Sequence, residues 1–413
     1  MEAEQFTRER KLPLERLCYL LINLLKRSYS VELDNFFELL GEQETVCSKS
    51  AFCQQRNKLK SIFFACWNAI LVDSYYRHHR RSIKRWHGFR LIAVDGSGAY
   101  MVNKPDVRAH FGTIRGKNSS YSMAQVMTTY DVLNGITIQN EMLPIKYSEQ
   151  SIANTWVSGY EPDMLMLYDR GYPSFASIYL HLHKEQEQKF VIRCPRAFNK
   201  EVRAFTNSTS KDQVVEFKAS KKAITELYKH GFIIPADATL KVRLVKVMLK
   251  NGSKEILITN LDDTKEFPLR IFKALYFKRW GIETNYDTLK NKLQLESFTG
   301  HKVNSIMQDF YANFFIANLQ EILSKPIQAR INEKTKHRKH QYKVNKNVAI
   351  GLMKNKVVQL FISHDPKMIL QQLENMFFRH LEPVRPNREY QRTNKYIQLN
   401  GKYQTLTNYR RAI

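Results

Sequence analysis

Apolar positions in the first fifth of the chain recur at helical spacing. Leu14, Leu17, Cys18, Leu21, Leu24 and Leu25 form one series, and Leu33, Phe36, Phe37 and Leu40 form a second. The pattern predicts helices through residues 8–85. A polar turn, Gly41 to Ser48, precedes an amphipathic helix at Ser50–Lys60 whose outer face carries Gln54, Gln55, Arg56, Lys58 and Lys60. The period then shortens. Leu91 to Val94 is a continuous apolar run that ends in Asp95 and a glycine, as in a buried strand whose carboxyl end presents an acid. Met164 to Tyr168 repeats the arrangement before Asp169, and a helix is expected near Ser174–Glu185. Ser122–Val132 and Gly135–Leu143 predict a hairpin turned by Asn134-Gly135. Lys189–Cys194 reads as a strand. So do Val214–Ala219, Leu240–Leu249 and Glu255–Leu261, the last two joined at Asn251-Gly252. Phe310–Leu323 and Asn347–Phe377 read as helical. From Glu382 the chain turns polar and basic, with Tyr390, Tyr396, Tyr403 and Tyr409 interleaved among Arg and Lys.

Charge adds a partner class. The 413 residues carry a formal charge of +26, which suits a polyanion. Residues 325–413 hold 19 Lys and Arg against 5 Asp and Glu, so the excess concentrates in the last fifth of the chain. A membrane partner is not expected, because the longest apolar runs, Cys18 to Leu25 and Ser61 to Val72, are too short to span a bilayer. The opening Met-Glu-Ala-Glu-Gln has acids and no apolar run, unlike a secretory signal. Five cysteines show no CxxC pairing, and nothing supplies four zinc ligands at finger spacing. They read as reduced thiols in a cytosolic protein.

The candidate chemistry lies in Asp95, Asp169 and the segment Tyr276 to Lys290. At about 100° per residue on a helix, Tyr276, Arg279, Glu283 and Lys290 fall within roughly 60° of one another. One stripe then carries a carboxylate, two cations and a phenol. Each acid alone has an ordinary alternative: Asp95 and Asp169 as turn formers, Glu283 as the partner of Arg279 in a helix salt bridge. Together, two strand-end aspartates and a helical glutamate suit two Mg²⁺ ions, with Mn²⁺ a substitute, in phosphoryl transfer. For Ser50–Lys60, a major-groove reader and a solvated helix face both remain open.

The spacing Tyr-x2-Arg-x3-Glu-x6-Lys, met in full by Tyr276, Arg279, Glu283 and Lys290, resembles the signature of DDE-type bacterial insertion-sequence transposases of the IS-four type. Asp95 in Ala-Val-Asp-Gly-Ser resembles the family's first Asp, and Asp169 in Tyr-Asp-Arg-Gly-Tyr its second. Ser50-Ala-Phe and Pro383-Val-Arg-Pro-Asn-Arg388 resemble family segments near the two ends. The resemblance covers roughly residues 8–390.

The resemblance implies an α/β, ribonuclease-H-like catalytic core interrupted by a β-rich insertion at about 195–263, with helical regions on either side. The expected division is 1–88 for DNA binding, 89–325 for catalysis and 326–413 for a basic helical region and tail. Asp95, Asp169 and Glu283 would bind the metal. Tyr276, Arg279, Lys290 and Arg170 would hold DNA, together with Gln54, Arg56 and Lys58 near the N-terminus. The implied substrate is double-stranded DNA, both element ends and target, handled by a homodimer in a bacterial cytoplasm. The family's hairpin route uses a Trp in the β insertion to stack on a flipped base. Trp67, Trp86, Trp156 and Trp280 all lie outside 190–265, which leaves Phe217, Tyr228 or Phe232; Trp280 reads as packing. Two alternatives share the charge and the helices: a catalytically silent DNA-binding regulator, and a Mg²⁺ nuclease that cuts without joining. If Lys290 holds a phosphate, Lys290→Ala should lower the salt slope of DNA binding by about one unit. An unchanged slope in a salt titration would place Lys290 on a solvated face.

Overall fold

A computed structural model describes residues 6, 10–23, 25–116, 120–249 and 252–385. Leu24, Asn251, residues 386–388 and the tyrosines of the basic tail lie outside the described residues. The chain divides into two compact units. One comprises Met1–His78, Tyr100–Met123 and Tyr286–Ile413; the other comprises His79–Ala99 and Ala124–Asn285.

The second unit is built on a large mixed sheet. In chain order its strands are β1 (Arg90–Tyr100), β2 (Thr113–Arg115), β3 (Ser120–Asp131), β4 (Ile136–Pro144), β5 (Met164–Tyr168), β6 (Lys189–Cys194), β7 (Asp212–Lys218), β8 (Thr239–Met248) and β9 (Lys254–Thr259). β2 and the first residues of β3 pair within the first unit. The rest run in the order β4-β3-β1-β5-β6-β9-β8-β7. β1, β5 and β6 are parallel at the centre, and their apolar runs are buried on both faces, as parallel strands require. The expected hairpin joins β3 to β4, with Gly135 at φ 72°, a conformation that side chains resist. The three strands expected between residues 213 and 261 are present. They continue the same sheet, β9 pairing antiparallel with β6.

Ile92, Val94, Met164, Met166 and Tyr168 point into a cluster with helices Glu149–Trp156 and Phe175–Leu182. Alternation sends Leu91, Ala93 and Asp95 to the opposite face. One expectation is corrected here. Asp95 does not end its strand: β1 runs on to Tyr100. Only the pairing with β5 ends, at Val94 opposite Tyr168. Asp95 and Asp169 are thus each the next residue past the same rung.

The first unit is helical, with a two-stranded ribbon of β10 (Gln341–Val344) and β11 (Leu381–Val384). Its axis is the helix Val303–Thr335, buried over most of its first half. Trp67 of helix Ile62–His78 meets Phe315 with ring centroids 4.5 Å apart. The span that reads as helical over 347–377 is helical, in three pieces: Lys346–Met353, Lys356–Ile362 and Pro366–Arg379. Asn355 at φ 65° makes the first break and Pro366, which cannot continue a preceding helix, the second.

Arg56 is a second correction. It was expected on the outer face of its helix, which spans Lys49–Lys58, and is instead among the most buried side chains. Its guanidinium donates to Gln308 Oε1 at 2.8 Å, Tyr29 Oη at 2.8 Å, Thr299 Oγ1 at 2.9 Å, the Ser305 carbonyl at 2.8 Å and Asp309 Oδ1 at 2.5 Å. Five partners offset its desolvation, where a groove contact would leave it in water. Gln55 is buried as well, while Gln54 stays exposed and Lys58 half-buried. Removing the counter-charge should be costly. Asp309→Ala is expected to lower unfolding stability by about 3–5 kcal/mol. Urea melts of mutant and wild type check this, and a loss under about 1 kcal/mol would mean that Arg56 is solvated.

Candidate functional site

The segment Leu269–Lys292 is helical throughout but changes pitch. Leu269–Phe277 is α-helix, Lys278–Trp280 tightens to 3₁₀, Gly281–Asp287 is α-helix and Thr288–Lys292 widens to a π turn. A single uniform wheel therefore does not describe it. Tyr276, Arg279 and Glu283 belong to the sheet unit and Lys290 to the helical unit.

Within the sheet unit, Arg279 is the centre of the site. Its side chain is 3% exposed. Nη2 donates to Glu283 Oε1 at 2.9 Å, and Nη1 lies 3.7 Å from Asp95 Oδ2. Its Cζ sits 5.8 Å from the Tyr276 ring centroid and 5.8 Å from that of Trp280. Nε and Nη1 are buried without a hydrogen-bond partner. Buried guanidinium donors are normally satisfied, so two open ones beside two acids mark where an anionic oxygen would fit. Trp280 itself is 43% exposed, on the surface and not in the packing expected of it.

Asp169 accepts from the Tyr276 hydroxyl at 3.3 Å, and that hydroxyl also lies 3.2 Å from the Tyr168 carbonyl. Burial pushes the Tyr276 phenol far above its ordinary pKa, so it stays protonated and acts as a donor. Arg193 of β6 stands 3.6 Å from Asp169 and 3.1 Å from Glu255. Arg170, next in sequence, is exposed.

Two residues of this site carry no sequence signal. Arg193 is one; Glu149 is the other. Glu149 begins a helix capped by Ser148, whose hydroxyl accepts from the Ser151 amide at 3.2 Å. Its carboxylate accepts from Gln125 Nε2 at 3.0 Å and from the buried Tyr172 hydroxyl at 2.9 Å. A Cβ on Gly96 would lie 2.3 Å from its Cδ. Glycine at 96 therefore makes the room that Glu149 occupies. Asp95 registers the result: burial raises its pKa to about 7, Arg279 opposes the rise, and Glu149 and Asp169 add to it.

Comparison with known proteins gives the family. A family model described as the transposase DDE domain matches residues 86–319, more than half of the chain. The chain belongs to the DDE transposases. It is also 23% identical over 320 residues to the transposase InsG for insertion sequence element IS4 of Escherichia coli (strain K12), covering 76% of this chain and 70% of that protein. Among solved structures, it is similar to a piggyBac transposase synaptic complex with hairpin DNA, at 11% identity and a TM-score of 0.44, over 97% of this chain and 82% of that one.

The family implies a divalent metal ion. Among the described residues, no three His, Cys, Asp or Glu gather closely enough to form a cage. Mg²⁺ is commonly held by one or two carboxylates with waters and substrate phosphates completing the shell. The all-carboxylate donors and the excess negative charge at Asp95 fit that shared mode. The other expected residues have surroundings of their own. Lys290 pairs with Glu296 at 3.5 Å. Phe217 is in the core, Phe232 packs edge-on against Tyr179, and Tyr228 is 70% exposed, which makes Tyr228 the one of the three open to stacking.

Gly96→Ala should displace the Glu149 carboxylate and disturb Asp95 without touching it. The expected result is a stable protein with DNA cleavage lowered by at least about tenfold, a small positioning error being sufficient for that. Unchanged cleavage would show that the Glu149 placement is irrelevant to the acids.

Proposed function

We propose that this transposase binds the terminal inverted repeats of its own element, cuts them in a Mg²⁺-dependent reaction and transfers the freed strands to target DNA. The observation that carries the reading is Arg279, buried between Asp95 and Glu283 with two donors left open. A scissile phosphate presents the oxygens those donors lack. Asp95, Asp169 and Glu283 would hold two Mg²⁺ ions, or Mn²⁺ in their place. When bound, such ions neutralise phosphate charge and ease deprotonation of an attacking water or 3′-hydroxyl. Arg279 holds the phosphate in line, as planar guanidinium donors do. Tyr276 orients Asp169 by donating to it and keeps its own proton. Arg193 restrains Asp169 from the side of β6. Arg170 and Lys290, with Gln54 and Lys58 on the helix Lys49–Lys58, would contact the DNA backbone. Arg56 is left out of that set, since its donors are taken within the fold.

The fold reading proposed with this function is a ribonuclease-H-like core with the strands between 195 and 263 as its insertion. The regions 1–88 and 326–413 would serve DNA and assembly. A homodimer in the end complex would pair the two ends, in the cytoplasm and on the nucleoid. No helix among the described residues is long and apolar enough to cross a membrane.

The test uses purified protein, labelled element ends and Mg²⁺. Glu283→Gln is expected to lower cleavage by about 10²-fold or more while leaving end binding intact, because a charge meant for the metal is lost and no DNA-contacting cation is. Boundary cleavage with joined product in the wild type supports transposition; cleavage without joining would point to a nuclease. Binding without cleavage in either Mg²⁺ or Mn²⁺ would point to a silent regulator.

A further inference from the structure

A cavity of about 670 Å³ lies wholly within the helical unit, away from the acids in sequence. Its lining includes Lys26, Arg27, Lys49, Arg56, His301 and Lys302, and contains no Asp or Glu. Among the described residues, Arg27, Lys49 and Lys302 make no ion pair, and all three are exposed at the rim, with the exposed His301 beside them. The floor is rigid. Arg56 ties Tyr29, Thr299 and Ser305 together, and Tyr29 Oη donates to the Thr299 carbonyl at 2.6 Å. Lys26 Nζ donates to the carbonyls of Gln294 at 3.0 Å and Ser297 at 3.3 Å. A Cβ on Gly300 would lie 2.2 Å from that of Ser305, so the loop 297–302 is pressed onto the helix behind it.

Two helices begin at the cavity wall, Tyr29–Leu39 at Ser28 and Val303–Thr335 at Lys302. Neither has a side chain capping its first amides. Free amides and unpaired cations around one cavity are complementary to anionic oxygen. Phe298, half-buried in the same lining, adds an apolar ring beside them. The volume is in the range of a small-ligand site.

We propose that this cavity is a phosphate-binding site that takes the backbone of a DNA strand, separate from the acids that would cut it. The proposal rests on the transposase reading for its ligand. The cations of the rim bind successive phosphodiesters, while Arg56 serves only to hold the floor. DNA is favoured over a free anion because the unpaired cations are spread over three segments, 26–29, 49–57 and 297–302, as contacts to a chain of phosphates would be.

The experiment compares wild type, Arg27→Ala/Lys302→Ala and, as a control outside the cavity, Lys265→Ala, an exposed lysine with no assigned DNA contact, by fluorescence anisotropy with a labelled element-end duplex across a salt series. Thermal melting of each protein checks folding. The double variant is expected to bind on the order of tenfold more weakly or worse, with a salt slope reduced by about two units, and to melt like the wild type. Recovery of cleavage at low salt would show that the acids are untouched and that only engagement is lost. An unchanged affinity and slope would overturn the proposal. A second arm adds inorganic phosphate or a deoxynucleoside monophosphate as competitor. If millimolar phosphate binds wild type but not the double variant, while DNA affinity is equal in both, the cavity is a free-anion site and the DNA proposal falls. Failure of wild-type protein to bind or cut DNA at all would instead fault the transposase mechanism, which the first arm reads separately.

Discussion

Arg279 is the constraint on which the site depends. Asp95 is a carboxylate taken largely out of water, which costs its charged form hydration. One guanidinium, itself 3% exposed, answers Asp95 on one side and Glu283 on the other. It is held by the helix that carries Glu283 and is flanked by the Tyr276 and Trp280 rings. The fold thus supplies Arg279 to Asp95 and Glu283, and Arg193 to Asp169. Burial raises the pKa of Asp95 to about 7, with Arg279 opposing the rise and Glu149 and Asp169 adding to it. On the proposed reading, a metal ion would supply further positive charge beside Asp95, and a phosphate oxygen would meet the open arginine donors.

The sheet provides the geometry on which that chemistry relies. β1 and β5 run parallel, and their pairing stops at Val94 and Tyr168. Their next residues are both aspartates. Ligands in open α/β sheets gather where strands end at their carboxyl edge, and here the ending is one of pairing and not of the strand itself. The remaining acid comes from a helix that changes pitch on either side of it, 3₁₀ before and π after.

Much of this was legible in the chain. Short apolar runs before Asp95 and Asp169 marked the central strands, and Asn134-Gly135 marked its hairpin. Tyr276, Arg279 and Glu283 do meet, because i, i+3 and i, i+4 spacing survives a local change of pitch. What could not be read depends on distant partners. Arg56 faces inward because Asp309, 253 residues away, is there to receive it. A helical wheel shows a polar face without saying whether water or another helix covers it. The continuation of β1 past Asp95 was hidden for a related reason. Gly96 and Gly98 look like a turn in sequence, yet at Gly96 the missing side chain makes space for Glu149. Arg193 and Glu149 belong to no spacing pattern: strand register brings the first to the acids, and the packing of a helix start on the sheet brings the second.

Gly96 has a consequence for how the layers of this protein communicate. Asp95 and Gly96 point to opposite faces of the sheet, one toward the helix of Arg279 and the other toward the helix that begins at Glu149. At residue 96 no side chain thickens the partition between those layers, and the sheet has a window that the Glu149 carboxylate fills. Through it the charge of Glu149 reaches an acid on the far face. The helix Glu149–Trp156, outside the signature segment, is thereby electrically part of the centre it backs.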